Sequence, residues 1–385
     1  MEYFLSEQQK TLKSLARRIA EERMLPVRAE LDEKEEFPWE IIKDLANADM
    51  FRIFIPEEYE GLGGGCLDLC LVVEELSRVC SGIAASYAAS APGGFTLLEY
   101  GTEAQKQKYL PDIAAGRKLT AFALTEPTAG SDASAIKTTA ERVKEGYLIN
   151  GTKQFITNGG EAEIYIVIAL TDKERGARGA STFLVEKDTP GFSFGKKERK
   201  MGIRASSTRE LIFRNCLVPE ESIIGKKGMG FIMTLRILDR SRPGIGAQAV
   251  GLAQGALEAA VDYARQRIQF EHPIISLPVV QNMLADMAIE VEAARALTYA
   301  VARTIDSGAK HFTEEAAMAK VFASDIAMKV TTDAVQIFGG AGYMKDYPVE
   351  KMMRDAKITQ IYEGTNQVLR NTIASELRKR KARRE

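Results

Sequence analysis

The sequence predicts an α+β chain of three parts: an all-α N-terminal domain (1–120), a middle antiparallel β domain (121–230) and a C-terminal helical bundle (231–385). Three observations predict it. Apolar residues repeat at helical spacing towards both ends of the 385-residue chain. Between those ends lie short β-branched and aromatic runs, punctuated by glycine, asparagine and proline. No helix-length pattern separates these runs, so parallel crossovers have no room and antiparallel pairing is expected.

In the first part, "LKSLARRI" places Leu12, Leu15, Ala16 and Ile19 on one stripe, the i, i+3, i+4, i+7 pattern of an amphipathic helix. "FPWEIIKDLA" follows, with Pro38 suited to a first turn. A glycine-rich break, "EEYEGLGGGCLDL", precedes a return to helical spacing in "CLVVEELSRVC". The second part supplies strand-like runs: "GYLINGTK", "EIYIVIAL", "STFLVE" and "RELIFRN". The third supplies three long patterns rich in alanine, leucine and methionine, at 245–267, 279–305 and 314–338. At about 1.5 Å per residue each spans some 35–40 Å, suited to an antiparallel bundle.

A net charge of −1 gives no reason to expect nucleic acid or an anionic membrane as main partner. No apolar run approaches the roughly 20 residues of a membrane span. The opening "MEYFLSEQQK" lacks the basic start and apolar middle of a secretion signal, so a cytoplasmic protein is expected. Cys66, Cys70, Cys80 and Cys216 are spaced unlike a zinc site and are expected as reduced, partly buried thiols, with no metal bound. The tail "LRKRKARRE" carries six basic residues, read as a solvated helix end or as a docking patch.

The usual nucleotide signatures are missing: "GLGGGC" and "GGAGYMK" do not complete GxGxxG, and no Walker lysine occurs. Other segments carry chemistry. "TEPTAGSD" packs hydroxyls, proline and glycine into eight residues; it fits a plain turn, or a loop aiming N–H and hydroxyl groups at a flat polar ring or a phosphate. "KQFITNGG" fits a strand end, or an aromatic wall beside a hydroxyl donor. "VQIFGGAGY" ends a helix on paired glycines, as a C-cap would. In "IYEGTNQ" a single carboxylate, Glu363, stands between an aromatic residue and a glycine before a helix start.

In combination these segments are far more specific. "TEPTAGSD", "FITNG", "KMGIRASST", "LDxxR", "RxxF", "QIFGGAGY" and "IYEGTNQ", in this order, resemble the acyl-CoA dehydrogenase family over essentially the whole chain. The likeness is strongest to its short-chain, butyryl-CoA dehydrogenase branch. The resemblance implies a helical domain, a β domain and a C-terminal four-helix bundle, with FAD between the last two and a homotetrameric assembly. It implies flavin contacts from Phe122, Leu124, Thr125, Gly130 and Ser131, and a wall beside the ring from Phe155, Ile156 and Thr157. Arg267, Phe270, Gln336, Gly339 and Gly340 are implied to reach the FAD of a neighbouring subunit. Thr365, Asn366 and Gln367 are implied near its adenine and pyrophosphate. Ser131, Asp239, Arg242 and Gly364 are implied on the CoA-thioester side.

Glu363 matches the family's catalytic base. The implied reaction is α,β-dehydrogenation of a saturated acyl-CoA to its trans-2-enoyl counterpart, the β-hydride leaving for the flavin and the electrons passing to an electron-transfer flavoprotein. An α C–H is far less acidic than a carboxylic acid near pKa 4.3. Hydrogen bonds to the thioester carbonyl, one of them from the Glu363 N–H, and expulsion of water narrow that gap. Some branches place the base just before the arginine matched by Arg242; here that residue is Ser241, which cannot serve.

The sequence departs from the family pattern at several places. Thr128 stands where glycine is frequent, and Phe155 where tryptophan is common. Glu271-His272 replaces Gly-Lys near the expected pyrophosphate contact. Pro243 follows Arg242 and is expected to bend or begin the bundle helix. Two rival readings share the chemistry: an enoyl-CoA reductase acting on branched, cyclic or aromatic acyl groups, and an oxidase passing electrons to oxygen. A third is a non-catalytic acyl-CoA-binding member. Acyl-chain depth is expected to depend on "SYAASAPGGFTLLEY".

Overall fold

The computed structural model describes residues 3–382, with side chains through Lys379; most of the basic tail lies outside the described side chains. The first part contains α1 (Glu7–Ile19), α2 (Arg28–Lys34), α3 (Trp39–Asn47), α4 (Cys66–Val79), α5 (Ser81–Ala88), α6 (Ala91–Tyr100) and α7 (Glu103–Ala114). α1 starts at a reciprocal cap: Ser6 Oγ accepts from the Gln9 N–H, and the Gln9 side chain accepts from the Ser6 N–H. Its expected stripe is placed as read, with Ala16 and Ile19 buried. Pro38 occupies the cap position just before the first turn of α3.

The middle part is one eight-stranded sheet: β1 (Thr120–Ala123), β2 (Thr139–Val143), β3 (Gly146–Thr157), β4 (Ile164–Leu170), β5 (Ala180–Glu186), β6 (Phe192–Lys197), β7 (Thr208–Val218) and β8 (Ile223–Ile224). The strand order is β6-β7-β3-β2-β4-β5-β8. Pairing is mostly antiparallel, as expected, with one correction. β1 runs parallel to β4, Thr120 opposite Ile164, and β2 touches β4 in parallel at Thr139 and Leu170. The crossover that parallel strands require is here the β2–β3 hairpin instead of a helix.

The third part holds α8 (Gly230–Gln266), a two-residue hairpin of β9 (Ile268–Gln269) and β10 (His272–Pro273), then α9 (Pro278–Asp306), α10 (Thr313–Phe338), α11 (Val349–Thr359) and α12 (Asn366–Ala382). The helix does not begin at Pro243, one of the two outcomes expected there: α8 begins at Gly230, 37 residues long, and runs on through the proline. Losing one backbone hydrogen bond does not end a helix whose face is buried along most of its length. α10 ends on Gly339 at φ +62°, the glycine cap read from the sequence.

Two close approaches fix the site's frame. A Cβ on Gly251 or Gly255 of α8 would lie 2.0 Å from the Glu74 or Arg78 carbonyl oxygen, so only glycine lets α4 and α8 pack this closely. The "KMGIRASST" segment ties the sheet to α11: the Ile203 N–H donates to Asp355 (2.5 Å) and Arg354 Nη1 to the Met201 carbonyl (2.9 Å). The chain leaving α11 is thus held against the sheet immediately before it reaches Glu363.

Candidate active site

Between α11 and α12 the chain turns sharply. Ile361 and Tyr362 N–H groups return to the Ile358 carbonyl, and Asn366 N–H to Gln360. Glu363 adopts φ +52°, a left-handed conformation that a non-glycine residue takes at a cost of about 1–3 kcal/mol. Gly364 follows at φ +98°, where a Cβ would press on Leu369 at 2.9 Å. The turn is locked from behind. Lys320 of α10, fully buried, donates to the Gly364 carbonyl (2.8 Å) and to Asn366 Oδ1 (2.9 Å).

The Glu363 carboxylate meets α8. Ser241 Oγ donates to Glu363 Oε2 at 2.7 Å, and Arg242 Nε approaches the Glu363 carbonyl at 3.4 Å. Burial raises the Glu363 carboxyl above the ordinary carboxylate range, against the opposing pull of Ser241, Arg242 and Lys320. Arg242 is itself buried and paired with Asp239, whose other oxygen accepts from Thr313 (2.6 Å). Burial pushes Asp239 up as well, outweighing the guanidinium.

The facing wall comes from the sheet. β3 and β7 shift register between Lys153 and Ile156, and within that bulge Phe155 sits at φ +59° with its side chain 58% exposed. The bulge re-aims the ring towards the cavity. The "TEPTAGSD" segment is a built loop: Glu126 and Ala129 exchange backbone hydrogen bonds, and the buried Glu126 carboxylate receives the N–H groups of Lys137 (2.6 Å) and Thr138 (3.0 Å). Fully buried Lys153 donates to Glu126 (2.8 Å) and to the Leu124 carbonyl (3.0 Å). Thr128 is exposed at this turn, off the cavity, so its replacement of glycine leaves the wall unaltered.

These elements enclose a cavity of about 330 Å³. Phe122, Leu124, Thr125, Gly130, Ser131, Phe155, Ile156 and Thr157 line it from the sheet side, with Arg242, Glu363 and Gly364 from the helices. Ala88, Ala89, Ala91 and Pro92 line it too, from the segment expected to set acyl depth. The other expected residues lie elsewhere. Asp239 opens instead onto a separate cavity of about 1330 Å³, bounded also by Asp306 and Thr313. Asn366 is buried, its amide spent on Ser324 (2.8 Å) and Asp325 (2.8 Å). Thr365 Oγ1 accepts from the Val368 N–H (3.2 Å) at the start of α12, and Gln367 is exposed.

Arg267, Phe270, Gln336, Gly339 and Gly340 are all exposed and none lines the cavity. Phe270 and Glu271 form the tip of the β9–β10 hairpin at φ +52° and +66°, so the acid replacing the family glycine sits in a left-handed turn position. Sequence reasoning missed Lys320, Lys153, Gln248 and the partnership of Ser241 with Glu363. Gln248, seven residues after Ser241 on the same face of α8, hydrogen-bonds the Tyr362 hydroxyl and the Ser81 hydroxyl (2.8 Å). Its i+7 spacing was the available signal.

The cavity fits a flat polar ring. Thr125, Ser131 and Thr157 offer hydroxyls on one wall, an aromatic face stands among them, and a Cβ at Gly130 would meet nothing within 4 Å.

Comparison with known proteins agrees along the whole chain. Family models match the acyl-CoA dehydrogenase N-terminal domain at 6–117, the middle domain at 121–216 and the C-terminal domain at 227–378. The acryloyl-CoA reductase (NADH) of Anaerotignum propionicum is 47% identical over 382 residues, covering 99% of this chain and 97% of the relative. The butyryl-CoA dehydrogenase structure from Megasphaera elsdenii superposes with a TM-score of 0.96 at 45% identity, over 98% of this chain and 100% of that one. A chain from the structure described as "Electron transferring flavoprotein of Acidaminococcus fermentans: Towards a mechanism of flavin-based electron bifurcation" gives 0.96 at 49% identity, over 98% and 99%. Three domain matches and near-complete coverage lead to one conclusion: the chain belongs to the acyl-CoA dehydrogenase family and is an FAD-dependent oxidoreductase acting on a CH–CH group.

Proposed function

We propose that the protein dehydrogenates a short-chain acyl-CoA thioester to the trans-2-enoyl-CoA, with Glu363 as the base that removes the α-proton. The observation that carries this is the Glu363 carboxylate itself, half-buried on the cavity, hydrogen-bonded by Ser241 and across the cavity from the wall of Phe155, Ile156 and Thr157. Burial makes the carboxylate a stronger base than an exposed glutamate, while Ser241 and Arg242 keep its charged form accessible. The Glu363 N–H makes no hydrogen bond among the described residues, which suits a donor to the thioester carbonyl. Gly364, without a side chain, lets the thioester approach the base. FAD, when bound, accepts the β-hydride.

Ser131 and Arg242 border the cavity on the thioester side, with Asp239 steadying Arg242. The exposed set of Arg267, Phe270, Gln336, Gly339 and Gly340 suits contact with the cofactor of a second copy in a homotetramer. Exposed Ile268, Tyr343 and Met344 nearby support burial there on assembly. Thr365 and Gln367, at the start of α12, complete the proposed cofactor contacts, with Asn366 holding their backbone. The likeness to a chain from an electron transferring flavoprotein structure supports such a flavoprotein as electron acceptor. Among the described residues no helix is long and apolar enough to cross a membrane. The four cysteines are buried and free, which supports a reducing, cytoplasmic setting.

The similarity to an acryloyl-CoA reductase favours one second reading, the same carbons reduced instead of oxidised, on a small or a bulkier acyl group. Glu363→Gln tests both. It is expected to keep FAD while flavin reduction by butyryl-CoA slows about 10³-fold, the scale of a lost general base. Stopped-flow bleaching measures it, and a near-normal rate would remove Glu363 from this role.

A further inference from the structure

Four glycines lie inside α8, at 244, 246, 251 and 255, although glycine is among the weakest helix formers. Three of them have a packing reason. A Cβ on Gly246 would stand 3.0 Å from Thr298 Oγ1, and on Gly251 or Gly255 it would strike a carbonyl of α4 at 2.0 Å. Gly244 has none. A Cβ there meets no atom within 4 Å beyond its own stretch of helix, and its backbone needs no left-handed φ. It is nevertheless buried, because the open space beside it is the Glu363 cavity, which it lines.

Its place on the helix says what that space is for. Gly244 follows Ser241 by three residues and precedes Gln248 by four, so the three share one face. Ser241 holds the Glu363 carboxylate and Gln248 holds the Tyr362 hydroxyl. Gly244 therefore stands on the helix face between the two anchor points of consecutive residues, and it lines the same cavity as Glu363, Ala85, Ala88 and Ala89. We propose that Gly244 is a specificity-determining residue: its missing side chain supplies the room into which the acyl group extends past the reacting carbons. This rests on the acyl-CoA reading above. A methyl at this position shortens or narrows the pocket, and an isopropyl group closes it to chains longer or broader than the smallest.

The test compares FAD-loaded wild type, Gly244→Ala and Gly244→Val in flavin reduction by butyryl-CoA, hexanoyl-CoA and isobutyryl-CoA, with thermal melting of each. The hexanoyl/butyryl and isobutyryl/butyryl ratios of kcat/KM are expected to fall stepwise, about 10–100-fold in the valine variant, mostly through KM. Gly244→Ala is expected to melt about 1–3 °C higher, because alanine strengthens the helix and nothing obstructs it. Unchanged ratios in variants that still reduce the flavin would overturn the inference and leave the function reading intact. A lower melting point for the alanine variant would overturn it too, marking Gly244 as a packing residue. A wild type that none of the three thioesters reduces would instead overturn the function reading, and the inference with it.

Discussion

Two lysines are completely buried, one behind each wall of the cavity, and both donate to a carbonyl of the loop in front of them. Lys153 holds Leu124 on the sheet side; Lys320 holds Gly364 on the helical side. Burial lowers both, Lys153 to about 8 against the attraction of Glu126, and Lys320 to about 7 against that of Glu363. The difference lies in the partner. Lys153 has its own carboxylate at 2.8 Å, so its charge is answered locally and its role is to fix a loop. Among the described residues Lys320 has no carboxylate within ion-pair distance; its contacts are a carbonyl and an amide oxygen, and its field reaches the base. One buried charge is answered by its own carboxylate, and the other acts from a distance on the Glu363 carboxyl.

The largest effect expected from this contrast is on stability. Lys153→Met strands the Glu126 carboxylate in the interior and should cost about 3–5 kcal/mol, read as an earlier urea midpoint. The acid limb of flavin reduction should stay where it is, because Lys153 is not among the groups that act on Glu363. A moved limb would break the comparison.

Lys320→Met should cost less stability, about 1–3 kcal/mol for the Gly364 carbonyl left without a donor and an Asn366 amide oxygen left with Ser324 alone, and should move the acid limb upward. The sign follows from charge. Glu363 must be ionised to act, the lysine's positive charge favours that form, and removing it raises the carboxyl further. The groups acting on this carboxylate are Arg242, with Asp239 behind it, and Lys320, with Asp325 near the lysine. The shift should be confined to pH below about 7, above which Lys320 itself has lost its proton. Native stability carries a matching signature. The folded lysine binds fewer protons than the unfolded one between about 7 and its ordinary value, so stability rises with pH across that window, and the variant should flatten the rise. Urea melts at pH 6.5 and 9 measure it.

Ser241→Ala sharpens the contrast at the smallest scale. It removes a direct hydrogen bond to the carboxylate, worth about 0.5–1.5 kcal/mol, and should move the acid limb up by less than one pH unit. Lys320→Met should move it less, because the direct hydrogen bond from Ser241 outweighs the more distant lysine charge. A pH–rate series on both variants ranks the two.

The helical–strand–helical zoning was legible in the sequence because hydrophobic period marks helix from strand. The interest of Glu363 came from the ordered motifs taken together and not from its own surroundings, which read equally as an ordinary loop acid. The start of α8 was not legible, since Pro243 read as a place for the helix to bend or begin and only burial of the helix face carries the helix through it. Parallel pairing of β1 with β4 was hidden for a different reason, because a register between distant strands leaves no mark in either. Lys320 was invisible in the same way. In "AAMAKVFASD" a lysine at helical spacing reads as a solvated charge, and it is held by the carbonyl of a turn residue 44 positions further on. Arg267 and Gln336 face outward, and no periodicity in their own helix ends marked that.

The four unpaired thiols have a practical consequence. Cys66, Cys70 and Cys80 are shut inside the N-terminal helices and Cys216 inside the sheet, while α8 to α12 hold none. An alkylating reagent therefore finds nothing to modify until a layer separates, and the identity of the tagged cysteine names the layer. The bundle, silent to such labelling, is sensed only through the neighbours it keeps closed.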